Sequence, residues 1–232
     1  MNKTAWIIFS AITVGAFGLL VYLSGSNKID VSKADITAAQ TASTQNGNIA
    51  DHVYGKAGSK VTLIDYGDFQ CPGCGTAHPT IKAVTEAYKD QLQFIFRNYP
   101  LTESHPNAKA AAGAVEAAGL QGKYWEMHNK IYESQSEWEN LEGSARADMF
   151  SSYAKTLGLN ADKFNVDISG SAINKKIEYD KALGQKAKLD ATPSFYLNGK
   201  KLPSSTWGDE TKLKEAINTE LKKAGITPPS NN

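Results

Sequence analysis

The chain has 232 residues, 41% of them hydrophobic and 21% charged, with 25 basic side chains against 24 acidic ones and a formal net charge of +1. That length holds one good-sized domain plus extras, and the near-neutral balance gives no argument for a nucleic-acid partner or an anionic surface. Two cysteines in all exclude a disulfide-stapled scaffold and a four-cysteine zinc site within one chain.

From residue 4 to residue 27 there is no charged side chain, and 5–23 is mostly apolar with Trp6 and Tyr22 near its ends. About 20 such residues cross a bilayer core, and aromatic residues favour its interfaces. Lys3 and the terminal amine lie on the short side. Residues 1–24 are therefore expected to form a single-pass membrane anchor with the remaining chain outside the cytoplasm. A cleaved signal peptide is the alternative and would leave that part secreted or periplasmic, although Ser24-Gly25-Ser26 is a poor cleavage site. A buried core helix fits the terminal position badly. Residues 25–50 are polar, small and aperiodic, which predicts a flexible tether. It is too short to be an added dimerisation domain, so a monomer is expected.

The globular part is expected over 51–224, with a tail at 225–232. After a turn at Ala57-Gly58-Ser59 comes an apolar, β-branched run, 60–66, that reads as a strand. Cys71-Pro72-Gly73-Cys74 follows. Ala77, Ile81, Val84 and Tyr88 then recur at helical spacing, which predicts a helix to about Lys89. Residues 91–99 alternate and are rich in aromatics, a second strand, so the three elements make a βαβ unit with parallel strands. From about 105 to 188 the pattern is helical throughout. Ser144, Asn160 and Ser171 are candidate caps, and Trp125, His128, Ile131 and Tyr132 share one face. Strand character returns at 193–197. Asn198-Gly199 marks a two-residue hairpin turn, and Asp209 can cap a last amphipathic helix through Leu213, Ile217 and Leu221. The order is βαβ, helical insert, ββα.

The chemistry concentrates where the first strand meets its helix. Cys71 falls at the helix N-terminus, where unpaired N–H groups and the positive end of the dipole converge. That setting favours a thiolate, the species that attacks disulfides. Cys71, nearer the helix start and the solvent, is the expected nucleophile. Cys74, one turn further in, is expected to resolve the mixed disulfide. Pro72 suits an early helical position because the helix uses no N–H there, and Gly73 places no side chain beside the sulfur. Asp65 sits in an otherwise apolar strand. Alternation puts it on the face of Leu63, where burial raises its pKa and a neutral acid can relay the proton of Cys74. A solvent-facing Asp65 is the plainer alternative, and Asp68 reads as a cap or loop residue. Thr192-Pro193 opens the third strand. Beside a CxxC in this order a cis bond is expected, turning the Thr192 backbone toward the dithiol as an edge for an extended substrate. Zinc is the competing reading of the cysteines. It needs four ligands, His78 offers only a third, and His52, His105 and His128 have no matching spacing. No metal is expected.

These residues together resemble the thioredoxin fold, and the helical insert makes the chain similar to DsbA-like thiol–disulfide oxidoreductases, particularly the membrane-tethered bacterial forms. The resemblance runs from about residue 51 to 221. It includes 65–74, 96–101, His105-Pro106-Asn107-Ala108, Gln121-Gly122-Lys123-Tyr124-Trp125 and 191–199. It implies Cys71 as nucleophile, Cys74 as resolving thiol, Asp65 as buried acid, and Thr192 and Pro193 with Pro72 and Gly73 on the substrate side. It implies a protein-disulfide oxidase acting on cysteine-containing exported polypeptides, re-oxidised by a membrane quinone-linked oxidase and using no organic cofactor. The best-known oxidase has histidine where this chain has Gly73, so oxidising strength does not carry over wholesale. A reductase or isomerase shares the chemistry, and a tethered binding or chaperone module without redox turnover is the non-enzymatic alternative.

Overall fold

The computed structural model describes residues 6, 12–15 and 29–230. The chain divides into two units, Met1–Asp30 and Val31–Asn232. In the first, Trp6 and residues 12–15 are helical. The rest of the expected anchor at 1–24 lies outside the described residues. Among the described residues no helix is long and apolar enough to cross a membrane.

The second unit is built on a five-stranded sheet in the order β1-β3-β2-β4-β5. Strand β2 (Thr62–Gly67) pairs in parallel with β3 (Gln93–Asn98), and helix α1 (Pro72–Ala87) connects the two. Strand β4 (Ser194–Leu197) runs antiparallel on the other side of β2, and β5 (Lys200–Lys201) runs antiparallel to β4. The turn between them carries φ of 47° at Asn198 and 78° at Gly199, the positive pair that makes Asn-Gly the favoured residues there. Sequence reasoning missed one strand. Val53–Gly55, β1, pairs antiparallel with β3, too short at three residues to show a pattern. Every residue of β2 and β3 is buried, so neither central strand has a wet face.

The insert runs from α2 (Ala108–Gly119) through α3 (Tyr124–Glu133), α4 (Gln135–Trp138), α5 (Gly143–Thr156) and α6 (Ala161–Asp167) to α7 (Ser171–Lys186). Asn160 caps α6 through Lys163 N–H. Ser144 and Ser171 do not cap: Glu142 and Gly170 hold those positions, one or two residues earlier. After β5 come α8 (Ser204–Trp207) and α9 (Glu210–Lys223), the latter capped by Asp209. Leu213, Ile217 and Leu221 of α9 are fully buried, each worth about 2 kcal/mol of apolar burial.

Among the described residues there are two hydrophobic clusters, and α1 belongs to both. Ala77, Ile81 and Val84 join strands and α9 in one. Cys71 and Cys74 join Phe69, Phe96, Tyr132 and the insert in the other. One helix thus anchors itself in the sheet and presents its first turn to the insert.

The tether expected at 25–50 needs correction. From Val31 onward it lies along the domain, with a short 3-10 helix at Thr44–Asn46 and with Asn46 and Ile49 buried. Lys186 Nζ donates to the carbonyls of Val31, Ser32 and Ala34 at 2.7–2.9 Å. Buried Arg97 donates to the carbonyls of Ile36 and Ala38 and, at 2.8 Å, to Asp51. Asp51 also accepts from Lys176 at 2.7 Å. Burial pushes the Asp51 carboxyl up, but Lys176 and Arg97 outweigh it and hold it well below the usual range. Cations from the domain thus fix the backbone of a segment whose own side chains carry no hydrophobic period.

Candidate active site

Cys71 is the N-cap of α1, in extended conformation, with Pro72 in the first helical position. Strand β2 aims the chain at this point, and the loop between is tied down on three sides. Asp68 accepts from the N–H of Gln70 and of Leu101 and pairs with His105 Nδ1 at 2.7 Å. Gln70 donates to the carbonyl of Glu139 and accepts from Asn107 N–H. Gln135, at the start of α4, donates to the carbonyls of Phe69 at 2.7 Å and Cys71 at 3.1 Å. Gly75 makes room for it, since a Cβ there would lie 2.5 Å from Gln135 Oε1.

Neither cysteine is in a disulfide and both are buried, Cys71 8% exposed and Cys74 3%. The exposure expected for Cys71 is therefore slight. Their chemistry nevertheless differs sharply. Hydrogen bonding from the Cys74 thiol, together with backbone N–H of Gly73 and Cys74 at the helix start, lowers the Cys71 pKa to about 5 against the opposing effect of burial. Burial drives the Cys74 pKa far up, reinforced by its bond to Cys71 and by the charge of Asp65. One sulfur is an anion at neutral pH and its neighbour is a thiol.

The Thr192-Pro193 peptide is cis, and the Thr192 carbonyl lies 3.5 Å from Cys71 Sγ. Gly73 faces it. A Cβ built on Gly73 would sit 3.5 Å from Pro193 Cδ and 3.7 Å from Cys71 Sγ, ordinary contacts that leave space for a side chain. A cleft runs outward from here past Gly73, Thr192, Pro193, Pro203 and Trp207.

Asp65 is buried on β2, paired across the sheet with Phe96 and Phe195, and its Oδ1 has no hydrogen-bond partner among the described residues. Desolvation, and then the Cys71 charge, raise its pKa well above the usual carboxylate range. Sequence reasoning missed Tyr132. Its hydroxyl is buried without a partner among the described residues, and burial above all raises its pKa. Gly67, two residues beyond Asp65, makes room chiefly for the Phe96 ring, since a Cβ there would run into Phe96 Cε2 and lie 3.0 Å from the Tyr132 hydroxyl. Gly67 and Gly75 carried the only sequence signal of these approaches, and a lone glycine does not say what fills the space it leaves. Among the described residues no group of His, Cys, Asp and Glu could hold a metal ion.

A family model described as Thioredoxin matches residues 47–219, so the chain belongs to the thioredoxin family. Among solved structures it is similar to oxidised BdbD from Bacillus subtilis, with a TM-score of 0.65 at 24% identity, covering 80% of this chain and 98% of that one. It is also similar to alpha-DsbA1 from Wolbachia pipientis, with a TM-score of 0.63 at 23% identity, covering 75% and 92%. At such identities the likeness is one of fold, and it bears out the thioredoxin fold with a helical insertion. By sequence the chain is similar to proteins named Na(+)/H(+) antiporter NhaA 1. It is 35% identical to the one from Salinispora arenicola over 151 residues and 36% identical to the one from Mycolicibacterium vanbaalenii. Those matches take in 65% and 64% of this chain but span only 22% and 23% of the length of these relatives.

Proposed function

We propose that this member of the thioredoxin family is an extracytoplasmic protein thiol–disulfide oxidoreductase, tethered to the membrane by residues 1–24. It works as an oxidase that passes the Cys71–Cys74 disulfide to cysteine-containing exported polypeptides. The observation that carries this reading is the placement of Cys71 as the N-cap of α1, 3.5 Å from the carbonyl of the cis Thr192-Pro193 peptide, with Cys74 buried one turn behind it. That placement splits the two sulfurs, lowering the Cys71 pKa and pushing the Cys74 thiol far up.

In the oxidised protein a substrate thiolate attacks Cys71 Sγ. The Cys71–Cys74 bond breaks, and Cys74 leaves with its electron pair and takes a proton, for which Asp65 is the buried source. A second substrate thiolate then attacks its partner sulfur in the mixed disulfide, and Cys71 leaves as the stabilised thiolate. The substrate loses two electrons and the dithiol gains them. The Thr192 backbone and Pro193 hold the extended substrate while Pro72 and Gly73 leave the sulfur open. A quinone-linked membrane oxidase would take the two electrons onward.

A good leaving thiolate stabilises the reduced protein and makes the disulfide more oxidising. The test is the reduction potential against glutathione, combined with trapping by Cys74→Ser in membranes. A potential well above the reducing thioredoxin value of about −270 mV, with exported multi-cysteine proteins attached to Cys71, supports the oxidase. A potential near that value with a single trapped client would reassign the chain as a reductase. The empty position at Gly73, which adds no charge beside the sulfur, is the observation that favours this second reading.

A further inference from the structure

Helix α3 turns Tyr124, Met127, His128, Ile131 and Tyr132 inward at the spacing of one helical face. The last of these reaches the dithiol. Its ring stacks on His78, one turn beyond Cys74 in α1, at 5.0 Å between centroids and 24° between planes. It also leans on Phe69 at 4.7 Å, in the hydrophobic cluster that holds both sulfurs. Its hydroxyl ends beside the Phe96 ring and over Gly67, 3.0 Å from the point a Cβ would take there. The next amide along the chain, Asp68 N–H, donates to Cys74. The Tyr132 hydroxyl and the Cys74 sulfur thus meet the same peptide unit, one from the insert and the other from α1.

Phenylalanine would fill this place and bury no polar atom. The Tyr132 hydroxyl instead has no hydrogen-bond partner among the described residues, and a buried O–H left unpaired costs free energy. In the dithiol state Cys74 is an uncharged thiol that already donates to Cys71 and accepts from Asp68. Exchange changes this, because Cys74 leaves the disulfide, or attacks it, as an anion. Burial above all holds the Tyr132 phenol well above its usual pKa, and after burial a charge at Cys74 bears on it more than one at Asp65, Asp68 or Cys71. Such a phenol donates a hydrogen bond and keeps its proton. A bond made only while the charge exists lowers the barrier and leaves the end states alone.

We propose that Tyr132 is the hydrogen-bond donor to the charged Cys74 sulfur during thiol–disulfide exchange. When a substrate thiolate bonds to Cys71 Sγ, the Cys71–Cys74 bond breaks and its electron pair goes to Cys74. Tyr132 holds that anion until the Asp65 proton reaches it, and itself gives up neither proton nor electron. The inference rests on the dithiol exchange proposed above and not on its direction, since the return step passes through the same anion.

The test compares the full chain with Tyr132→Phe. Oxidised protein is mixed with reduced glutathione, and loss of the Cys71–Cys74 disulfide is followed by acid quench and mass spectrometry. Expected is opening slower by about 10- to 100-fold, the worth of one hydrogen bond to a charged group. The reduction potential and the pH midpoint for alkylating Cys71 should not move, and the reduced variant should resist urea at least as well as the parent. Fluorotyrosine in place of Tyr132, a more acidic donor on the same ring, should speed opening and serves if the first variant does not fold. Opening of Tyr132→Phe at the parent rate would overturn the assignment. A slower rate with a shifted Cys71 midpoint or potential would also overturn it, because the hydroxyl would then act through Cys71 or through packing. A parent chain that does not exchange with glutathione at all would remove the oxidoreductase reading, and this inference with it.

Discussion

Comparing the stability of the reduced and oxidised proteins as pH changes tests the Cys71 thiolate by thermodynamics rather than reactivity. In the reduced native state Cys71 titrates at about 5, against 9.0 for an ordinary thiol. Its folded pKa is depressed, so the stabilisation is full above the unfolded value and is lost as pH falls through about 5. At pH 7 the native state holds the anion over two pH units above its pKa, which amounts to about 2.7 kcal/mol. At pH 5 only about 0.4 kcal/mol remains. Asp65 works with the opposite sign. Its raised pKa gives stability that is complete below the usual carboxylate value and is lost as pH rises. The part due to burial is common to both redox forms and cancels; the part due to the Cys71 charge subtracts a little. Urea unfolding of both forms between pH 5 and pH 7 should therefore show the reduced form gaining on the oxidised form by about 2 kcal/mol. Reduced Cys71→Ser should lose that gain. A difference that stays flat with pH would refute a stabilised thiolate, whatever its absolute size.

Three other outcomes are expected. Asp65→Asn removes the ionisable partner of Cys74 and keeps its shape, so the step in which Cys74 leaves and takes a proton should slow at least 100-fold, about the worth of one positioned acid–base group; rapid-quench analysis would show the oxidised protein persisting, with no build-up of the mixed disulfide. Gly73→His puts its Cβ 3.7 Å from Cys71 Sγ in ordinary contact, and a tenfold stabilisation of the thiolate by the imidazole should raise the potential by about 30 mV, read against glutathione. Asp51→Ala leaves buried Arg97 and Lys176 without a shared anion, so urea unfolding should report a loss of about 3–5 kcal/mol, and hydrogen exchange should rise in residues 31–50.

Local chemistry made much of this molecule legible. The cysteine helix, the Asn198-Gly199 turn and the Asp209 cap depend on neighbours within a few residues. Asp65 could be placed because a carboxylate stands out in an apolar strand. What stayed hidden depends on contacts made across the fold. Residues 31–50 read as a tether because the cations that hold them, Arg97, Lys176 and Lys186, come from a strand and a helix far along the chain and bind mostly backbone carbonyls. Gln135 and Tyr132 belong to an insert whose period shows a buried face but not what lies against it. His128 read as an isolated histidine, and only the fold sets it against His78, Phe96, Trp125 and Tyr132.

Of the two cysteines of the reduced protein, Cys71 alone is ionised at neutral pH. Alkylation of the reduced protein with iodoacetamide across pH, with the modified residue identified by mass spectrometry, tests it most directly. Modification of Cys71 is expected with a midpoint at about pH 5, with Cys74 left intact. A midpoint near the ordinary thiol value of 9.0, or Cys74 reacting first, would contradict it.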